Sequence, residues 1–163
     1  MKRSSAKYLT RAAIIAALYI ALTELALLLN LAYGPVQFRF SEAMTVLPFL
    51  MPEAVPGLFV GCLVSNLLSP YGLPDIIVGS LATLLAAVGT RRCRVRALAP
   101  LPPVLANALL VGALIAWEEA GFSAAVLPAF GYHALTIGLG EAAACCLLGL
   151  PLLHFLEKHP LKR

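Results

Sequence analysis

The residues able to do chemistry in this 163-residue chain are few, and they are of the kind that holds a ligand rather than breaks a bond. Gln37, Arg39 and Glu42 fall within six positions of one another, Asn66 and Asp75 flank a Pro- and Gly-rich turn, and Asn107 and Glu141 sit inside long apolar runs. Trp117, Glu118, Glu119, Tyr132 and His133 cluster around a later break. Carboxylates accept hydrogen bonds, a guanidinium donates them, and amides do both. Burying such groups without partners costs about 1–3 kcal/mol each, so they should pair with one another, with water or with a ligand. Acids, amides and aromatics with a single cation suit a small, polar, planar solute, and one carrying positive charge in particular. Glu141 is the hardest to dismiss, because ionisable groups deep in a membrane span are rare and usually face a cavity or a partner. His133, Ile137 and Glu141 recur every four residues and share a helical face. Positions 107, 111, 114 and 118 form another stripe, which puts Asn107 and Glu118 about 16 Å apart along the axis.

Most of these residues also have plainer readings. Asp75 directly precedes an apolar run and reads equally as a helix cap. Glu118 and Glu119 read as solvated loop carboxylates, and Trp117 and Tyr132 as interfacial belt residues. Arg39 and Glu42, three apart, read as a local pair.

The elements that must position these groups are membrane helices. The chain is 61% hydrophobic and 12% charged, with a mean hydropathy of +0.90. Soluble domains carry about 25% charged residues, so a wet surface around a single core is excluded, as are disorder and a coiled coil. Apolar runs cover residues 9–31, 43–51, 54–68, 76–89, 98–117 and 124–155, the last with possible breaks near Gly138–Gly140 or Pro151. A relaxed span needs about 20 residues; the second, third and fourth runs are shorter, which is tolerated where backbone packs on protein or lines a cavity. The prediction is an all-α membrane protein of six transmembrane helices, residues 1–163 forming one substrate-binding unit. The first run reads as a helix and not as a cleaved signal, since no small-residue cleavage site follows it.

Orientation follows from the cations, which concentrate in cytoplasmic loops. With six spans, Lys2, Arg3, Lys7, Arg11, Arg91, Arg92, Arg94, Arg96, Lys158, Lys162 and Arg163 share one side, and of the 12 Lys and Arg only Arg39 lies opposite. The expectation is a multi-pass protein of the cell membrane with both termini cytoplasmic. The basic run 91–96 is then a topology signal and not a nucleic-acid patch, and no nucleic-acid partner is expected.

The first helix carries Ala12, Ala13, Ala16, Ala17 and Ala21 at small-xxx-small spacing, which lets another helix approach closely in lipid, either inside this protein or from a partner. The four cysteines show no metal-ligand spacing, and no GxxxxGK[ST] phosphate loop occurs. Neither metal nor cofactor is expected.

Four stretches carry a resemblance. They are the alanine-rich first helix ending in Ala17-Leu-Tyr-Ile-Ala-Leu-Thr23; Val36-Gln-Phe-Arg-Phe-Ser-Glu42; Gly61-Cys-Leu-Val-Ser-Asn66 followed by Asp75-Ile-Ile-Val-Gly-Ser-Leu-Ala-Thr-Leu-Leu85; and Pro103-Val-Leu-Ala-Asn107 with Gly140-Glu141. Together they resemble the QueT family of S components, the substrate-capture subunits of energy-coupling factor (ECF) transporters. The resemblance implies a six-helix bundle that takes a 7-deazapurine queuosine precursor, preQ1 or queuine, from outside. It also implies that the first helix docks a transmembrane coupling protein carrying two cytoplasmic ATPases, and that the chain itself is not an enzyme. On that footing a carboxylate would accept from the guanine-like N–H edge, an amide or Arg39 would donate to the ring carbonyl, and a second carboxylate would meet the cationic arm. Tyr132 or Trp117 would stack on the ring. The expected binding residues are Gln37, Arg39, Glu42, Asn66, Asp75, Asn107, Glu118, Tyr132 and Glu141. Three rivals remain: an S component for another solute such as a vitamin or nucleobase, a membrane scaffold without a ligand, and an intramembrane hydrolase using Ser80 and His133.

Overall fold

Lipid offers no hydrogen bonds, so a chain this apolar has to satisfy its backbone internally, and helices do so. The computed structural model describes residues 5–32 and 37–159, and among these every regular element is helical. Tyr33–Val36 of the expected polar break, and the terminal cations Lys2, Arg3, Lys162 and Arg163, lie outside the described residues.

Helix α1 spans Ser5–Leu28; a 3-10 helix follows at Phe40–Phe49; then come α2 (Ala54–Ser65) and α3 (Leu73–Arg92). Helix α4 (Leu101–Ala106) runs through a π turn, Asn107–Val111, into α5 (Gly112–Ala120). Helix α6 (Val126–Ala143) likewise continues through a second π turn, Ala144–Gly149, into α7 (Leu150–Lys158). The last apolar run is therefore unbroken at Gly138–Gly140. At Pro151 it bends its hydrogen-bond pattern instead of ending, a π adjustment accommodating the missing N–H.

Among the described residues, four helical stretches are long and apolar enough to cross a membrane: Ala6–Leu28, Leu73–Arg92, Arg96–Ala120 and Val126–Lys158. The fourth expected span is thus longer than the sequence suggested, because Leu73, Pro74 and Asp75 open the helix and Thr90–Arg92 close it. The second and third remain short. The 3-10 helix has only ten residues, but at about 2.0 Å per residue it reaches roughly 20 Å, against about 15 Å for an α-helix of equal length. Ser41 through Pro48 are all buried, so its backbone is shielded by protein. Thr45 Oγ1 bonds the Glu42 carbonyl three residues back at 2.6 Å, a match to the 3-10 spacing. Arg91 Nη1 reaches the Pro48 and Phe49 carbonyls at its far end, at 3.4 and 3.3 Å.

The molecule is inverted relative to a soluble protein. Leu9, Leu18, Leu85, Leu109 and Leu139 are exposed, as a lipid-facing surface requires, whereas Thr23, Glu42, Asn66, Asp75, Asn107 and Glu141 are buried. Helix α1 lies on α2 so closely that a Cβ on Gly57 would come within 2.7 Å of the Ala12 carbonyl and one on Gly61 within 2.8 Å of the Tyr19 Cβ. Ala12 and Ala16 are buried in that contact, while Ala13, Ala17 and Ala21 are exposed on the other side of the helix. The alanine strip thus divides: two residues pack internally and three face outward.

The described cations also sort by position. Arg11 pairs with the fully buried Glu53 at 3.0 Å, and Arg96 with Glu157 at 2.9 Å. With Arg91 on the 3-10 terminus, these tie α1, the 48–53 turn, the 91–96 loop and α7 together at one end of the bundle. Arg39 is at the other.

Candidate substrate-binding cleft

The 3-10 helix carries Glu42 into the centre of the bundle, and α3, the Asn107 turn and α6 close around it. Gln37, Arg39, Glu42, Gly79, Thr83, Asn107, Val111, Ile137 and Glu141 line a narrow, partly open cleft. Both π turns lie beside it. Asn107 opens the first, and Glu141 stands three residues ahead of the second; π turns recur at functional sites because they re-aim a side chain without ending the helix.

Each wall has a physical cause. The extended segment before the 3-10 helix lies against Gly140 so tightly that a Cβ there would fall 1.8 Å from the Gln37 carbonyl. Glu42 accepts a 2.5 Å hydrogen bond from the Tyr19 hydroxyl through Oε1. Its backbone carbonyl also takes the Cys145 thiol at 3.3 Å. Glu141 stands against Glu42 and the Asn107 amide. Arg39 donates through Nε to the Ala32 carbonyl at 3.3 Å and through Nη1 to Asn66 Oδ1 at 3.4 Å. The Asn66 amide is anchored in turn, its Nδ2 donating to the Asp75 carbonyl at 3.1 Å.

Three buried atoms of the cleft, Gln37 Nε2, Glu42 Oε2 and Asn107 Nδ2, have no hydrogen-bond partner. Buried polar groups in folded proteins are overwhelmingly satisfied. Two donors and one carboxylate oxygen left open in one cleft are therefore the groups a polar ligand would complete.

Of the nine expected binding residues, the structure brings Gln37, Arg39, Glu42, Asn107 and Glu141 to the cleft wall. Asn66 and Asp75 sit behind it, Asn66 holding Arg39 and Asp75 taking a 2.5 Å bond from Ser69 Oγ. Asp75 is in the first turn of α3 but makes no side-chain cap, the N-cap position being Gly72. Glu118 and Tyr132 do not reach the cleft: both are exposed. Tyr132 lies about half a turn round α6 from Glu141, and the π turn at 107–111 shifts the phase of α5, so the expected 107–118 stripe does not hold. Trp117 is also exposed and meets the Phe122 ring edge-on, so neither aromatic is placed to stack in the cleft.

Away from the cleft lining, His133 Nε2 meets Glu119 Oε2 at 2.8 Å, while Ser80 Oγ is buried without a partner among the described residues. Burial, with the nearby Glu119, Asp75 and Glu118 carboxylates, pushes the Tyr71 hydroxyl above its ordinary range, so it stays a hydrogen-bond donor. Sequence reasoning missed Tyr19, Thr83 and Cys145. An apolar helix holding one Tyr, Thr or Cys is ordinary, and nothing in its own segment distinguishes it.

The family described as the QueT transporter matches residues 9–158. A curated relative, the queuosine precursor transporter QueT of Lactococcus lactis subsp. cremoris (strain MG1363), is 40% identical over 84 residues, which is 52% of this chain and 49% of the relative. The aligned region thus spans about half the length of that relative. No solved structure matches the chain. With a match running from the first helix to the last, the chain belongs to the QueT transporter family.

Proposed function

We propose that this chain is the substrate-capture component of an ECF-type importer and that it binds a 7-deazapurine queuosine precursor with a cationic arm, preQ1 or queuine, in the central cleft. The observation that carries the reading is the set of open polar atoms around Glu42. A guanine-like ring offers an N–H edge to a carboxylate and a carbonyl to the Gln37 or Asn107 amide donors. The Glu42 and Glu141 carboxyl groups offer acceptor oxygens to the N–H donors of the aminomethyl arm. The curated relative is named for a queuosine precursor, and this supports the substrate class.

In this reading residues 1–163 act as one membrane unit of six crossing helices, the 3-10 helix and α2 crossing within the shelter of the others. The basic end faces the cytoplasm with both termini, and the cleft opens outward. A transmembrane coupling protein and two cytoplasmic ATPases supply the energy. The test is calorimetry on the purified protein in lipid nanodiscs: preQ1 or queuine should bind with no ATP present. Heat with neither compound, and no competition between them, rejects the substrate.

The exposed Ala13, Ala17 and Ala21 form the surface for the coupling protein, since small side chains let helices meet closely in lipid. Ala17→Trp should cut uptake in cells at least ten-fold and leave calorimetric binding within about two-fold of wild type. Ala16→Trp, driven into the α1–α2 contact, should instead lower the yield of folded protein. Lost binding in Ala17→Trp would place that residue in internal packing.

A further inference from the structure

Tyr19 is fully buried, boxed by Met44, Leu58 and Cys62. Its Cβ lies where only a glycine at position 61 leaves room. The ring therefore has one place to go, and its hydroxyl ends on Glu42 Oε1 at 2.5 Å. Four residues on, Thr23 Oγ1 meets Ser41 Oγ at 2.8 Å. Helix α1 thus grips the start of the 3-10 helix at two successive points, on Glu42 and on the residue before it. A carboxylate turns freely about its last bond unless one oxygen is held. Here one oxygen is held and the other, Oε2, is the open acceptor of the cleft.

We infer that Tyr19 is a positioning residue for substrate recognition: its hydroxyl fixes the Glu42 carboxylate so that Oε2 is presented to the ligand. The inference rests on the cleft being the binding site. It adds a residue on a helix that does not line the cleft, and it makes substrate affinity depend on how α1 is seated.

The experiment is a double-mutant cycle read by calorimetric binding of preQ1 to the full chain in nanodiscs, using Tyr19→Phe, Glu42→Gln and the pair. Tyr19→Phe should weaken binding about ten-fold, the upper end of what one hydrogen bond contributes. Glu42→Gln should weaken it further, and the double variant should be no weaker than Glu42→Gln alone, because Tyr19 acts only through that carboxylate. Replacing Tyr19 with 4-aminophenylalanine, which keeps a donor at the same reach, should restore most of the affinity. If Tyr19→Phe yields no folded protein, 4-methylphenylalanine fills the hydroxyl's volume without the donor and takes its place in the cycle. Wild-type affinity in the donor-less variant, losses that add fully in the pair, or no rescue by the amino analogue would each overturn the role of Tyr19. Unchanged affinity in Glu42→Gln overturns the cleft reading itself, and this inference with it.

Discussion

Glu141→Gln should reduce affinity for preQ1 about 50-fold, while Glu119→Gln changes it by less than about two-fold. Both substitutions preserve shape and replace a carboxyl by an amide, so the difference isolates position. Glu141 is buried, lines the cleft and stands against Glu42 and Asn107. Glu119 is exposed away from the cleft lining, where its contact is His133. Leaving a buried polar group without its partner costs about 1–3 kcal/mol, and the water-poor surroundings of Glu141 set the upper part of that range. The amide also puts an N–H where the Asn107 side chain now faces a carboxyl oxygen. Calorimetric titration of the two variants checks it. Equal, small effects would return Glu141 to a structural role.

Gly140→Ala should be nearly as damaging although it removes no polar group. Its Cβ would fall 1.8 Å from the Gln37 carbonyl, and both sides of that contact are backbone. No rotamer change relieves it, so the 37–39 segment has to move by more than an ångström. Gln37 and Arg39, two walls of the cleft, move with it. The expected result is loss of binding of about 30-fold or more, with the melting temperature lowered by several degrees, since overpacking costs about 1–3 kcal/mol. Gly138→Ala is the control: its Cβ would sit 3.4 Å from the Ala108 Cβ, an ordinary contact, and binding should hardly change. Equal behaviour of the two variants would show that the 37–39 segment does not need its seat on Gly140.

Seen together, these residues show what kind of information the chain carries locally. Asn107 and Glu141 stood out because an acid or amide in an apolar run is costly wherever the run ends up, and that cost is visible without a fold. The structure leaves Glu118 and Tyr132 outside the cleft. Both are polar residues at helix ends, where exposure is cheap, and their facing depends on helical phase. A π turn at Asn107–Val111 changes that phase and has no clear signature in the residues themselves. The alanine strip was legible as a packing motif, but which alanines pack inward was decided by Gly57 and Gly61 on another helix.

The sequence by itself determined the membrane class, the helical backbone and the placement of Asn107 and Glu141 among apolar segments. All of these follow from transfer costs that act residue by residue. The tertiary structure alone decided that Tyr19 holds Glu42, that Gly140 admits the Gln37 backbone and that Cys145 closes on the Glu42 carbonyl from 103 positions away. Those contacts join distant segments whose relative height and rotation are set by packing, and packing is a property of the assembled bundle.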